Sequence, residues 1–163
     1  MARDLSNHPQ RPELVEQIVR ALRSLDFLIS DVQAVWASAL KLTVPQWNIL
    51  ATIAEAHEQG GLPVKSVAEA LRVYPSFIVN QSRPLEDRGF IKRNSSSSDK
   101  RVVYLSVTPK ALKELSRLAE SRDAATAAIK KEMGEAAVLH TLELLQQLER
   151  CFARCRLRLQ VED

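Results

Sequence analysis

The sequence has only four glycines and two cysteines, aromatic residues make up 5% of it, and no apolar stretch approaches the roughly 18 residues that a membrane span needs. The opening segment MARDLSNHPQRPELVEQ lacks the apolar centre of a signal peptide, so a cytoplasmic protein with no membrane partner is expected. Two cysteines, Cys151 and Cys155, cannot form a disulfide framework and suit a reducing compartment. Charge of one sign is not in large excess either: a net charge of +3 and a pI near 9.0 are too mild to indicate a polyanionic partner by themselves. The three histidines, His8, His57 and His140, are scattered, and the chain has no serine elbow, phosphate loop or H-E-x-x-H motif. A non-enzymatic protein without cofactor or metal is therefore expected. His140 and Cys151 would lie about 16 Å apart along a helix, too far to share a zinc ion.

What the chain does have is helix-forming pattern. Hydrophobic residues make up 45% of it, with leucine and alanine prominent, and these lose little freedom in helices. Val15, Leu22, Ile29 and Trp36 recur every seven residues, with Ile18, Leu25, Val32 and Ala39 in the second seam position. Near the other end Val138, Leu145, Phe152 and Leu159 do the same, with Leu148 and Cys155 between them. Apolar stripes sustained over four heptads favour helix-to-helix contact with a partner chain, most simply a second copy. Because Cys155 falls in that seam, the cysteines read first as buried packing residues and second as a redox pair one turn apart.

Shorter elements lie between these helices. In TVPQWNILATIAEA, Thr43 and Gln46 have capping-box spacing, and Trp47, Leu50 and Ala54 share a face. GGLPVKSVAEALRV predicts a glycine turn and a two-turn helix from Lys65 to Arg72. YPSFIVNQSRPLEDRGF starts a third helix at Pro75 and stops it at Gly89, with Phe77, Ile78, Ser82 and Leu85 expected inward and Ser76, Asn80, Gln81 and Arg83 outward. FIKR and the alternating VVYLSV predict a hairpin around the serine-rich loop, and Thr108-Pro109 opens the next helix.

Helix, short helix, second helix, hairpin is the order of a winged helix-turn-helix, whose second helix enters a major groove while the hairpin reaches the adjacent minor groove. From Arg83 to Arg101 the basic residues Arg83, Arg88, Lys92, Arg93, Lys100 and Arg101 face Glu86, Asp87 and Asp99, six minus three, a local excess of +3. Asp99 stands two residues before Arg101, where a charge-assisted bond would aim the guanidinium into a narrow groove. The expected DNA contacts are Lys65, Ser66, Ser76, Asn80, Gln81, Arg83, Arg93, Ser97, Ser98, Asp99, Lys100 and Arg101. Of these, Asn80 and Gln81 are suited to adenine, and Lys65 and Ser66, together with Arg72, to phosphate.

At this level of detail the chain resembles the multiple antibiotic resistance regulator (MarR) family of bacterial transcription factors. The resemblance rests on LTVPQWNILATI, VAEALRV, PLEDRGFIKR and SDKRVVYLSVTPKA, most specifically on Leu85, Glu86, Gly89, Asp99, Arg101 and Thr108, and extends over roughly residues 15–158. It implies a mainly α fold with a small β-hairpin, a winged helix-turn-helix flanked by long N- and C-terminal dimerisation helices. It also implies a homodimer on double-stranded DNA at a pseudo-palindromic operator, usually repressing, and released by an effector. Within a single domain over 1–163, the dimerisation helices would be 12–42 and 135–160, the winged helix-turn-helix 43–107 and a linking helix 108–134. Trp36 and Trp47 fall where such proteins hold a small aromatic or acidic effector. The rival readings are a winged-helix protein-interaction module that ignores DNA and a DNA-binding redox sensor using Cys151 and Cys155. Three positions depart from the family pattern: Pro84 inside the recognition helix, where a kink between Asn80 and Pro84 is expected, Tyr74 in place of a capping serine, and Ala111 in place of glycine.

Overall fold

The computed structural model describes residues 14–95 and 101–160. The chain forms two compact units, divided after Glu114.

The first unit begins with α1 (Leu14–Ala39), followed by α2 (Val44–Glu55), a single 3-10 turn (His57–Gln59), β1 (Leu62–Pro63), α3 (Val64–Ala70) and α4 (Pro75–Asp87). Strands β2 (Ile91–Ser95) and β3 (Val103–Val107) come next, and α5 (Pro109–Arg117) runs out of the unit. The capping box is formed as expected: Gln46 N–H donates to Thr43 Oγ1 at 3.4 Å and the Gln46 side chain accepts from Thr43 N–H at 3.2 Å. From α2, Trp47, Ile49, Leu50 and Ile53 enter the core, where they join Val67, Ile78, Leu85, Ile91 and Leu105, all 0–2% exposed. Each such side chain contributes about 1.5–3 kcal/mol relative to remaining in water.

The hairpin carries a third, short strand that the glycine-rich sequence did not signal. Strand order is β1-β3-β2, fully antiparallel, with Leu62 opposite Leu105 and Arg93 opposite Leu105 on its other side. Gly61 makes this possible. At φ +105° it lies against β3 so closely that an added Cβ would collide with the Leu105 carbonyl oxygen and stand 2.9 Å from Ser106 Cβ.

Three helices of this unit end in the same way. After α1, Lys41 N–H bonds to Ser38 O and Leu42 N–H to Ala37 O; after α3, Arg72 bonds to Glu69 and Val73 to Ala68; after α4, Gly89 bonds to Glu86 and Phe90 to Leu85. This paired 5→2 and 6→1 pattern turns the chain sharply and needs a left-handed residue at its pivot. Glycine fills that place only after α4; Lys41 (φ 53°) and Arg72 (φ 56°) adopt it elsewhere.

The structure departs from the sequence reading within α4. Phe77 is 38% exposed, because Ile78, Ser82 and Leu85 occupy the i, i+4, i+7 stripe that faces the core. Pro84, which removes one amide donor at a cost of about 3 kcal/mol, stands inside α4, which runs from Pro75 to Asp87.

The second unit holds the end of α5, then α6 (Ala119–Met133) and α7 (Glu135–Leu159), with α6 and α7 in contact. The helix expected over 108–134 is two helices: Leu118 N–H bonds back three residues to Leu115 O, a tighter turn that separates α5 from α6. Gly134, at φ 79°, separates α6 from α7. No described residue of α7 is buried. Cys155, expected inside, is exposed and Cys151 half-buried.

Candidate nucleic-acid interface

Helix α4 is presented by the turn after α3. Pro75 occupies its first turn, and the preceding Tyr74 makes no side-chain cap bond and stands 81% exposed. With Ile78, Ser82 and Leu85 committed to the core, the opposite stripe carries Ser76, Asn80 and Arg83, all exposed, with Gln81 half-buried beside them. These are spaced i, i+4, i+7, so three polar side chains project in one row over two turns of helix. Such a row can offer hydroxyl, amide and guanidinium donors to base edges.

Lys65 and Ser66 lie in the first turn of α3, Lys65 exposed and paired with Glu69 at 3.8 Å, Ser66 half-buried. Arg72 is exposed at the pivot of the turn between α3 and α4. Arg101 is exposed in the turn that leads into β3. Ser97, Ser98, Asp99 and Lys100 lie outside the described residues, and with them the expected pairing of Asp99 with Arg101.

Arg93 stands apart from this row. Its side chain is 18% exposed. Nη1 donates to Ser82 Oγ at 3.0 Å and toward Val79 O at 3.4 Å, while Nε lies 3.7 Å from Glu86 Oε2. Strand alternation carried the signal, since Arg93 shares a face with Ile91, which is 2% exposed.

Arg88, also a member of the basic cluster, is engaged within the fold. Its Nη1 and Nη2 donate to the carbonyls of Lys41 and Leu40, both at 2.7 Å. Nothing local marks a contact between residues 47 and 48 positions apart.

Trp36 at the end of α1 and Trp47 in α2 meet with ring centroids 5.9 Å apart and planes inclined at 43°. Trp47 is 2% exposed, whereas Trp36 is half-buried and is the member of the pair a ligand could reach. In α7, Arg154 Nη2 donates to Cys151 Sγ at 3.3 Å. Among the described residues no group of three or more His, Cys, Asp or Glu side chains could hold a metal ion.

Comparison with known proteins places this geometry. Residues 42–103 match the MarR family model. A curated relative, the HTH-type transcriptional regulator Hpr of Bacillus pumilus, is 30% identical over 96 residues, 59% of this chain and 45% of that protein. The chain therefore spans less than half the length of that relative. Among solved structures, a MarR protein from Peptoclostridium difficile superposes with a TM-score of 0.74 at 19% identity, covering 89% of this chain and 93% of that one. The S. aureus MepR-DNA complex gives 0.71 at 19%, covering 82% and 96%. NadR in complex with 4-hydroxyphenylacetate gives 0.69 at 23%, covering 91% and 97%. At these identities the structural likeness shows the winged-helix fold.

Proposed function

We propose that the protein is a MarR-type transcriptional regulator that binds double-stranded DNA as a homodimer, because residues 42–103 match the MarR family model on a winged-helix frame. One observation carries this reading: α4 is held by Ile78, Ser82 and Leu85 so that Ser76, Asn80 and Arg83 form a continuous outward row. Gln81 flanks the row, Lys65, Ser66 and Arg72 serve the phosphates, and the loop with Ser97, Ser98, Asp99, Lys100 and Arg101 enters the minor groove. The fold of a MepR-DNA complex supports the same use of the helix.

The dimer follows from apolar surface. Of the 26 residues of α1 only Ala37 is buried, and Val15, Ile18, Leu25, Ile29 and Val32 of its heptad seam are each 43–55% exposed. In α7, Leu145, Phe152 and Leu159 are 40–68% exposed. Apolar faces of this length on a monomer mark an interface. A second copy related by a twofold axis would set two α4 helices about 34 Å apart, in successive major grooves.

The regulator would act as a repressor released by a small aromatic or acidic effector at Trp36 and Trp47; the structure of NadR, which shares the fold, is a complex with such a compound, 4-hydroxyphenylacetate. Release requires that the effector bind more tightly to the conformation that does not bind DNA. No single described helix is long and apolar enough to cross a membrane, which agrees with a place in the cytoplasm. The second reading is a redox sensor using Cys151 and Cys155, which lie one helical turn apart in α7; unchanged DNA affinity of Cys151→Ser/Cys155→Ser relative to the parent under peroxide would remove it.

The decisive experiment titrates duplex DNA at several salt concentrations. A regulator loses affinity steeply and linearly in log salt, because bound phosphates release counterions. A flat response would instead support an interaction module that ignores DNA.

A further inference from the structure

We propose that Arg93 is a positioning residue: from strand β2 it braces the inner side of α4 across the turn interrupted by Pro84, and it does not contact DNA. This rests on the DNA-binding reading above and specifies which arginines of the basic cluster do which work.

The geometry is that of a strut. Val79, Ser82 and Glu86, the three groups that meet the Arg93 guanidinium, are spaced i, i+3, i+7, one stripe over two turns with Pro84 between the last two. Pro84 has no N–H to offer the Asn80 carbonyl, so the helix loses a rung at the level where it presents Asn80 and Arg83. Arg93 supplies bonds at that level from outside the helix. Ser82, 0% exposed, relays them: its hydroxyl accepts from Arg93 at 3.0 Å and donates to Val79 O at 3.1 Å. The buried hydroxyl is thereby satisfied in both roles.

A guanidinium suits this work and an ammonium does not, because the planar fork reaches Glu86 with Nε while Nη1 faces Ser82 and Val79. Nη1 and Nε are both turned to these partners and only 18% of the side chain is exposed, so little of the guanidinium is presented to a phosphate. Base readout tolerates little displacement of the reading helix, so a strut between α4 and the strand that leads into the loop sets how well helix and loop engage one duplex together.

The test uses the full chain and a duplex recovered from a random-sequence pool by the parent protein, with a scrambled duplex of equal length as control, each titrated between about 50 and 200 mM salt. Arg93→Lys is expected to weaken the selected duplex about tenfold while leaving the scrambled affinity and the salt slope unchanged, because phosphate contacts set both of those. Ser82→Ala should act in the same direction, and the double variant should lose less than the two single losses combined. Equal losses on both duplexes, with a slope smaller by about one, would identify a phosphate contact and overturn the proposal. Unchanged affinity for both duplexes would overturn it as well, reducing Arg93 to a stabilising residue. If the parent binds neither duplex, the DNA-binding reading falls by itself. Amide exchange over residues 79–87 still judges the strut: about tenfold faster exchange in Arg93→Lys supports it, and unchanged rates end it.

Discussion

Arg88, the residue that ends α4, donates to the carbonyl oxygens of both Leu40 and Lys41, at 2.7 Å each, and so binds the end of α4 to the end of α1. The turn after α1 already satisfies Ala37 and Ser38 through its two internal bonds. Arg88 takes the carbonyls of Leu40 and Lys41 beyond them. Its guanidinium also lies 5.0 Å from the Phe90 ring centroid, with Lys110 Nζ 5.1 Å from the same centroid and donating to Arg88 O at 2.6 Å. The contact ties the turn after α1, the helix that carries Trp36, to the end of the helix that carries Asn80 and Arg83.

Replacing Arg88 by Met keeps most of the side-chain volume but removes both donors and the cation. We expect a loss of about 1–3 kcal/mol in urea unfolding, from unsatisfied helix-terminal carbonyls and the lost cation–π contact. Arg88→Lys should recover only part, since one ammonium replaces a fork aimed at two oxygens. A loss below about 0.5 kcal/mol for Arg88→Met, the size of an ordinary surface change, would count against the link.

Gly61→Ala should cost well over 2 kcal/mol, combining a strained positive φ with a collision against the β3 backbone. Gly89→Ala is the control: its φ is also positive, at +71°, but nothing lies within 4 Å of an added Cβ. About 1 kcal/mol is expected there. Equal costs for the two, measured by thermal unfolding, would show that the close approach of Gly61 to β3 has no energetic weight.

Lys41→Gly should stabilise the protein by about 0.5–1 kcal/mol, because the pivot after α1 then holds a residue at ease with φ 53°. The Arg88 bond accepts at the backbone carbonyl of position 41 and survives the change. A lower unfolding midpoint would indicate that the added freedom of the unfolded chain outweighs the relieved strain.

Arg101→Ala should weaken binding to a selected duplex by about 1–3 kcal/mol while leaving the oligomer intact, as read by gel shift alongside sedimentation. Asn80→Ala, in the middle of the outward row, should lower discrimination between selected and scrambled duplex with the salt slope unchanged. Unaltered affinity in Arg101→Ala would remove the loop from the interface.

Much of this molecule is legible from local signals. Thr43 with Gln46, Pro75, Gly89 and Thr108 with Pro109 marked the helix ends, because caps and pivots are set within four residues of chain. Heptads marked α1 and α7, and the outward row of α4 followed from i, i+4 spacing. The failures have physical causes as well. Phe77 looked like core by hydrophobicity, yet three better-spaced residues had already filled the inward stripe. Strand β1 spans only two residues, too few for any alternation to register.

The sequence by itself determined the order of helix, short helix, second helix and hairpin, the start of α2 at Thr43, the start and stop of α4, and which face of α4 carries polar groups, since each depends on neighbours along the chain. Only the tertiary structure decided what the arginines do. Arg83, Arg88, Arg93 and Arg101 are alike as cations in one basic stretch, but Arg83 and Arg101 are exposed, Arg93 grips the inner side of α4, and Arg88 grips the end of α1. A guanidinium takes its role from the oxygens that packing brings within 3 Å of it, and for Arg88 the folded chain brings those from 47 and 48 residues away.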